Sequence, residues 1–472
     1  MRRPDFLLAL TLSLAALGCQ NRPANIILVM ADDMGWGETG YYNHPVLKTP
    51  NLDAMAASGL RFDRFYAGAP NCSPTRASVM TGRSNDRTGV ENHGFALNHQ
   101  ERTLAQAMQA AGYATGHFGK WHLDGIRGPG VPILAGDDHN PGRFGFDVWL
   151  SVTNFFDRNP LMSRGGAFEE FEGDSSEIIV AEALKFIRDQ VQSDRPFFAV
   201  IWYGSPHDPF VASEADMAAF AHLDEPSRNH YGELVAMDRS IGTLRGALRD
   251  LAIEDDTLVW FNSDNGGLRN VEPGTVGGLR GFKNSVYEGG LRVPAIIEWP
   301  KVIRAGVTAY PAATMDIFPT IAALVGLPQE ALITPSDGVD LSPVFQDELA
   351  RRDKPLAFRH TGRAAIVDNN YKLLTQDLSS AEFELYDLDA DPLETDNLRD
   401  RQPEVAARLA QELTAWSNSV DASALGQDYP SKAIDPSESQ PRVWMQMPEY
   451  APYFDQLRQR PEYASWMLAD TP

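Results

Sequence analysis

Short apolar runs alternate with amphipathic segments over the first three quarters of the chain. Residues 25–31, 196–203 and 257–261 are mostly apolar, which is the pattern of β-strands covered on both faces. Residues 113–122 predict a fourth strand. The intervening segments repeat apolar positions at helical spacing, and they predict helices at residues 49–59, 103–111, 175–192 and 227–251. This alternation predicts an α/β fold with a large, mostly parallel sheet sandwiched by helices.

The pattern changes after about residue 355. Short strands joined by turns are predicted at residues 357–360, 364–367, 371–375 and 383–386, and a helix is predicted at residues 403–416. These elements predict a small C-terminal antiparallel sheet with one helix. The tail beyond residue 420 is rich in aromatic residues and is expected to pack as an arm on its own domain; an oligomer contact is the alternative. The predicted domains are residues 23–355, 356–420 and 421–472.

The N-terminal segment has the pattern of an export signal. Arg2 and Arg3 precede an apolar run over residues 6–17, which is too short to span a membrane as a mature helix. Cys19 follows Ala-Leu-Gly, which resembles the cleavage box of bacterial lipoproteins. We therefore predict a signal peptide over residues 1–18 and a lipidated Cys19, with export to the periplasm or surface of a bacterium. Plain secretion with a chance cysteine stays the alternative.

Composition limits the classes of partner. The chain has 472 residues, 41 basic and 64 acidic, and a formal charge of −23. Because phosphate contacts need clustered Lys and Arg, we expect no nucleic-acid partner. An anionic substrate is still allowed, since it responds to the local field of a cleft. Two cysteines cannot build a disulfide scaffold.

Polar residues follow three of the predicted strands directly. Asp32 and Asp33 end the first strand, His207 follows the third, and Asp264 and Asn265 follow the fourth. Each group alone is also typical of a turn or a helix cap. Together, at the carboxyl edge of one sheet, they predict a ligand site with hard oxygen donors suited to Ca²⁺ or Mg²⁺. Nothing in the sequence indicates a zinc site.

The segment Asn-Cys-Ser-Pro-Thr-Arg over residues 71–76 predicts the start of a helix. Ser73 fits the N-cap and Pro74 the first helical position, so Cys72 would lie just outside the helix N-terminus. Backbone N–H groups favour an anion there, and Arg76 lies one turn further on. A small buried cysteine and a nucleophilic thiol of low pKa are the alternatives.

Two further segments carry cationic side chains. In Gly-Lys-Trp-His, an extended backbone would place Lys120 and His122 on one face, although such residues are usually solvent-facing. Lys283 precedes a Tyr-Glu-Gly-Gly segment, whose glycines alone indicate only a turn or a close backbone approach.

Taken together, these motifs resemble the formylglycine-dependent type I sulfatases of the alkaline-phosphatase superfamily. Cys-Ser-Pro-Thr-Arg from Cys72, followed by Thr-Gly, is similar to the family's modification signature, with Thr75 where Ser is commoner. The Asp-Asp, Gly-Lys-Trp-His, Ser-Asp-Asn-Gly and Glu-Gly-Gly motifs follow in the family's order, and the resemblance covers about residues 23–400. It implies that residues 23–355 form the catalytic domain.

The resemblance also implies roles for individual residues. A maturation enzyme would oxidise Cys72 to formylglycine, whose hydrate is the nucleophile, and Ca²⁺ would be held by Asp32, Asp33, Cys72 after its modification, Asp264 and Asn265. Arg76 and Lys120 would hold the nucleophile and a sulfate oxygen. Asp264 would take the attacking proton and His122 the second hydroxyl proton. His207 and Lys283 would protonate the leaving alcohol.

The leading hypothesis is an exported sulfatase that acts on a sulfated glycan. The alternatives are a phosphonate monoester or phosphodiester hydrolase on the same scaffold, and a non-catalytic binder of sulfated glycans with unmodified Cys72. Substrate contacts are expected in the loops over residues 92–98, 124–145, 151–173 and 268–278. The candidates are Asn92, His93, His139 and Arg158, for which a solvated loop is an equally good interpretation.

Overall fold

A ten-stranded sheet organises the chain, together with sheets of four, three and two strands, in the residues that the computed structural model describes. These residues are 23–346, 349, 351–380 and 382–469. The predicted signal peptide and Cys19 lie outside them.

The strands are β1 (Asn25–Ala31), β2 (Leu60–Phe62), β3 (Phe65–Tyr66), β4 (Ala114–Lys120), β5 (Ile126–Arg127), β6 (Val148–Val152), β7 (Leu161–Arg164), β8 (Ala167–Glu170), β9 (Phe197–Trp202), β10 (Thr257–Ser263), β11 (Arg292–Val293), β12 (Ala295–Glu298), β13 (Gly306–Thr308), β14 (Ala312–Ala313), β15 (Leu356–His360), β16 (Arg363–Asp368), β17 (Tyr371–Thr375), β18 (Glu384–Asp387) and β19 (Arg442–Val443). The α-helices are α1 (Pro50–Ser58), α2 (Cys72–Thr81), α3 (Leu104–Ala110), α4 (Ser175–Gln192), α5 (Glu214–Met217), α6 (Glu225–Asp250), α7 (Glu288–Leu291), α8 (Ile317–Val325), α9 (Pro403–Ala424), α10 (Phe454–Leu457) and α11 (Pro461–Ala469).

The large sheet has the order β13-β2-β12-β10-β1-β9-β4-β6-β7-β8. Its centre, from β10 to β6, is parallel, whereas β12, β7 and β8 pair antiparallel with their inner neighbours. Ala31 lies opposite Ser263, and Trp202 lies opposite both Met30 and Gly119. This register brings the carboxyl ends of β1, β4, β9 and β10 together at one edge.

Helices cover both faces of this sheet. Along β1, Ile26, Leu28 and Met30 belong to one apolar core, which α2, α3 and α8 complete. The alternate residues, including Ile27 and Val29, belong to a second core with α1, α4 and α6. Alternate side chains of a strand point to opposite faces, so an unbroken apolar strand feeds two cores. The predicted fold class is confirmed, including the small antiparallel sheet β15-β16-β17-β18, on which α9 packs.

The start of α2 and the end of α9 differ from the sequence prediction. Helix α2 begins at Cys72 with Asn71 as its extended N-cap, so Ser73 is not the cap. The Ser73 hydroxyl instead accepts a hydrogen bond from the Gly94 N–H at 3.0 Å. Helix α9 continues to Ala424 and crosses the predicted boundary at residue 420.

The aromatic tail packs on its own chain. Trp444, Tyr450 and Tyr463 are buried with Ile126 and Val131, and β19 pairs in parallel with β5. Within the described ranges, no helix combines the length and the apolar character needed to cross a membrane.

Candidate active site at the carboxyl edge of the sheet

Four acidic or amide side chains meet where two central strands end. Asp32 and Asp33 follow β1, Asp264 and Asn265 follow β10, and all four are fully buried. The Asp33 N–H donates to Asp264 Oδ1 at 3.0 Å, and the Asp264 N–H donates to the Ala31 carbonyl at 3.1 Å. The backbone bond to Ala31 extends the strand pairing by one residue, and the bond to Asp264 Oδ1 holds the ends of the two strands together.

Three cationic side chains pair with these carboxylates. Lys120 Nζ lies 2.5 Å from Asp32 Oδ2, and both side chains are fully buried. Arg76 Nη2 lies 2.7 Å from Asp264 Oδ2. Lys283 Nζ lies 2.7 Å from Asp33 Oδ1. Each buried charge therefore has an opposite charge in contact, as burial requires.

The surroundings of Asp33 and Asp264 shift the pKa values of these two carboxyl groups in opposite directions. Burial alone would raise the pKa of Asp33, but Lys283 and the other nearby cations outweigh it and lower that pKa. Burial and the neighbouring Asp32 carboxylate raise the pKa of Asp264 to about 7. Asp264 therefore has a higher proton affinity than Asp33.

Cys72 lies at the first turn of α2 and points into the acidic cluster. It is 2% exposed, and its sulfur lies 3.6 Å from Asn71 Oδ1. The sulfur atom and ligand atoms of Asp32, Asp33 and His207 all lie within 4.8 Å of one another. Burial raises the pKa of the Cys72 thiol, which disfavours the alternative of a low-pKa thiol in this environment.

His207 is held from three sides. Its Nδ1 lies 2.5 Å from the Asp208 carbonyl, its Nε2 lies 3.3 Å from Lys283 Nζ, and its ring stacks on Phe155 at 5.0 Å between centroids. Burial and the Lys283 charge lower the pKa of His207 to about 3. The ring is therefore neutral, with Nδ1–H donating to the carbonyl and Nε2 accepting from the ammonium.

His122 is also a neutral histidine. It is buried, and neither ring nitrogen has a hydrogen-bond partner among the described residues. Burial and the Lys120 charge lower the pKa of His122 well below its usual value. The strand ends at Lys120, and His122 has a positive φ of 56°, so the predicted extended segment does not reach it.

The acidic cluster fits a hard divalent cation. Asp32 Oδ1 and Asn265 Oδ1 are buried and have no hydrogen-bond donor among the described residues. The amide of Asn265 donates to Asp33 Oδ1 at 2.8 Å, which turns its own oxygen away from that carboxylate. Unpartnered buried acceptors beside three carboxylates are the donor set that Ca²⁺ prefers.

The four substrate candidates do not share one location. Asn92 and His93 lie in the loop that Gly94 ties to Ser73, and the pKa of His93 is lowered by burial, by Arg127 and then by Lys283. His139 lies in another pocket, where its ring packs 4.1 Å from that of His99. Arg158 is exposed, and its charge acts on the Asp216 carboxylate. Asn92 and His93 are thus near the cluster, whereas His139 lines a different pocket.

Two aromatic residues at the site were not singled out in the sequence. Phe155 stacks flat on His207 with an interplanar angle of 7°, and Trp202 lies under the Arg76 guanidinium at 5.1 Å. Both lie at or just after the carboxyl end of a central strand. That position is the signal that could have identified them.

Comparisons with known proteins agree with this geometry. The family model described as sulfatase matches residues 24–327, and the C-terminal model of N-sulphoglucosamine sulphohydrolase matches residues 281–419. The N-acetylgalactosamine-6-sulfatase of Sus scrofa is 37% identical over 384 residues, covering 73% of this chain and 71% of that protein. Human (Homo sapiens) arylsulfatase A is 35% identical over 373 residues, covering 71% and 70%.

Among solved structures, Ps i-CgsB in complex with k-i-k-neocarrahexaose aligns with a TM-score of 0.74 and 27% identity, covering 84% of this chain and 93% of that one. Both curated relatives are sulfatases, which does not favour the phosphonate alternative. The resemblance seen in the sequence is confirmed: the chain belongs to the sulfatase family, whose members hydrolyse sulfate esters.

Proposed function

We propose that this sulfatase removes sulfate from a sulfated glycan, with formylglycine made from Cys72 and one Ca²⁺ as its cofactors. The observation that carries the proposal is the proximity of the Cys72 sulfur to ligand atoms of Asp32, Asp33 and His207, all within 4.8 Å. Residue 72, the proposed nucleophile, therefore lies in the same buried site as the carboxylate oxygens of Asp32 and Asp33.

Asp32, Asp33, Asp264 and Asn265 would hold the calcium ion, together with residue 72 after its modification. The unpartnered oxygens of Asp32 and Asn265 support this assignment. When bound, Ca²⁺ would supply positive charge that lowers the pKa of a hydroxyl nucleophile and attracts sulfate oxygens.

The nucleophile is proposed to be residue 72 in its oxidised form. The buried thiol has a raised pKa, and a thiol that attacked sulfate would retain a stable sulfur ester. Formylglycine would supply a hydrated aldehyde with two hydroxyl groups, one for attack and one for release of sulfate. Neither ring nitrogen of the buried His122 has a hydrogen-bond partner among the described residues, so a ring nitrogen would be free to take the proton during release.

The sulfate group would be held by Arg76 and Lys120, whose charges face the same carboxylates that flank Cys72. Lys283 and His207 would act on the leaving alcohol. Because the neutral His207 ring accepts from the Lys283 ammonium, the proton available to the leaving oxygen is on Lys283. His207 would orient that ammonium and pass protons with it.

A glycan substrate is supported by the relatives. One relative is an N-acetylgalactosamine-6-sulfatase, and the solved Ps i-CgsB structure is a complex with k-i-k-neocarrahexaose. The Asn92–His93 loop, which lies beside the catalytic cluster, would contact the sugar. We also propose export, with Cys19 as a lipid anchor, and a cysteine-specific maturation enzyme as partner, because a polymeric glycan is met outside the cell.

The test is expression with a cysteine-type maturation enzyme, followed by peptide mass spectrometry and assays with 4-nitrophenyl sulfate and 4-nitrophenyl phosphonate. We expect the residue-72 peptide to have lost its thiol sulfur, and the sulfate ester to be preferred. Cys72→Ser is expected to abolish turnover while thermal unfolding stays unchanged, since the two side chains are close in size. Chelation with EGTA should stop turnover and lower the melting temperature, and Ca²⁺ should restore both.

A residue-72 peptide that keeps its sulfur in an active preparation would refute the formylglycine proposal. Preference for the phosphonate would refute the sulfate assignment.

A further inference from the structure

A basic pocket of about 800 Å³ opens beside the candidate active site. Lys283 belongs to its wall, so the pocket and the catalytic cluster share a side chain. The wall also contains Arg269, Arg280 and Arg363, but no Asp or Glu. A pocket of this size holds a sugar unit or a disaccharide.

Two of these arginines lack a carboxylate partner. Arg280 is engaged, because its Nη1 donates to the Tyr386 hydroxyl at 2.9 Å and to the Glu394 carbonyl at 2.8 Å, with Glu384 at 3.5 Å. In contrast, neither Arg269 nor Arg363 has an ion pair with any residue in the described ranges. The chain carries 64 acidic residues against 41 basic ones, so uncompensated arginines facing one pocket require an explanation.

Both side chains are held in place by uncharged contacts. The Arg269 guanidinium lies over the Phe282 ring at 5.3 Å from its centroid. Arg363 Nη1 donates to the Asn284 carbonyl at 3.1 Å. Such contacts orient the planar guanidinium group and leave its positive charge available to bind an anionic group.

The Arg363 contact also connects the pocket to the nucleophile. Asn284 follows Lys283 directly, and its side-chain Oδ1 accepts from Asn71 Nδ2 at 2.5 Å. Asn71 is the N-cap of the helix that begins at Cys72. The wall of the pocket is therefore linked, through Asn284 and Asn71, to the start of the helix that carries Cys72.

We propose that Arg269 and Arg363 form a subsite for a second anionic group of the glycan, either a sulfate or a carboxylate. The inference rests on the proposed function, since it takes residue 72 and Lys283 as the point of cleavage. The substrate class is then a glycan with two anionic groups on one or adjacent sugars. A substrate with a single sulfate ester leaves the subsite empty.

The experiment measures kcat/KM of the matured protein for three substrates: 4-nitrophenyl sulfate, a disulfated disaccharide, and a monosulfated disaccharide that carries a uronate. The variants are Arg269→Gln, Arg363→Gln and the double variant, with Arg→Lys at each position to retain the charge. Arg188→Gln, on the exposed side of α4, is the matched control for loss of one positive charge.

The expected readout is the ratio of kcat/KM for each disaccharide to kcat/KM for the aryl sulfate. Hydrogen bonds to charged groups contribute enough that the double variant should lose roughly 10- to 100-fold in this ratio. The Arg→Lys variants should retain part of the wild-type ratio, and Arg188→Gln should leave the ratio unchanged. A loss confined to one disaccharide identifies the second group as sulfate or as carboxylate. A ratio within twofold of wild type in the double variant, for both disaccharides, overturns the subsite.

Inhibition of aryl sulfate hydrolysis by the same disaccharides provides a second measurement that does not need them to be cleaved. The inhibition constants should rise in the double variant, and unchanged constants would refute the subsite. If the matured protein hydrolyses no sulfate ester at all, the proposed function fails. Calorimetric binding of the disulfated disaccharide to wild type and to the double variant then decides the subsite by itself: weaker binding by the variant supports it, and equal binding overturns it.

Discussion

At the scale of single residues, the site is a balance of three carboxylates and three cations. The hydrogen bonds of His207 indicate which nitrogen carries a proton. Nδ1–H donates to the Asp208 carbonyl, and Nε2 accepts from the Lys283 ammonium. The family resemblance predicts that His207 and Lys283 serve the leaving group, but it does not say which of them holds the proton. Only the position of the two side chains decides that question.

His207→Ala is expected to harm alkyl sulfates far more than activated aryl sulfates. An alkoxide needs a proton as it leaves, and loss of acid–base assistance costs roughly 10²–10⁴-fold. A nitrophenolate leaves without help, so its loss should be below about tenfold. The measurement is kcat/KM on both substrate types, with the exposed His222→Gln as control. Equal losses on the two types would mean that His207 does not serve the leaving group.

At the scale of elements, the site depends on the register of parallel strands. Gly119 of β4 lies opposite Trp202 of β9, and it has a φ of 107°. A Cβ at this position would lie 1.9 Å from the Trp202 carbonyl oxygen. Gly119 therefore permits the close approach that holds the following residue, Lys120, against Asp32.

Gly119→Ala is expected to destabilise the fold by about 2–5 kcal/mol, because the strain of a positive φ adds to a clash with backbone. Turnover should fall with it, since Lys120 must move. Gly112→Ala is the matched control: its φ is 92°, but nothing lies within 4 Å of the added Cβ, so about 1–2 kcal/mol is expected. Unfolding in urea measures both values, and similar losses for the two variants would contradict this account.

At the scale of the whole molecule, charge is distributed unevenly. The chain has a net charge of −23, whereas three carboxylates and three cations offset one another in the catalytic cluster and the pocket beside Lys283 is basic. Several histidines are buried and neutral in this acidic protein. His360 in β15 is one of them: it is 3% exposed, and its Nδ1 has no hydrogen-bond partner among the described residues.

His360 predicts a loss of stability in acid. Burial, and then the Arg363 charge, lower the pKa of His360 from 6.5 to about 4. Below pH 6.5 the unfolded chain binds a proton that the folded chain refuses. The contribution of His360 is therefore full above pH 6.5 and is lost as the pH falls toward about 4, by up to about 3 kcal/mol.

The measurement is the free energy of unfolding in urea between pH 7 and pH 4.5, for wild type and for His360→Phe, which cannot titrate. The variant should show the shallower decline, and His222→Gln should decline as wild type does. Parallel curves for wild type and His360→Phe would refute the assignment.

The sequence by itself determined the fold class and most candidate residues, because both depend on local pattern. Apolar runs specify buried parallel strands, and polar residues directly after such strands must meet at the carboxyl edge of the sheet. Tertiary structure alone decided which charges touch, that the Cys72 thiol has a raised pKa, that His139 lines a different pocket, and that Phe155 stacks on His207. Proton affinity and pairing depend on burial and on distances between segments far apart in the chain, and no local pattern encodes either.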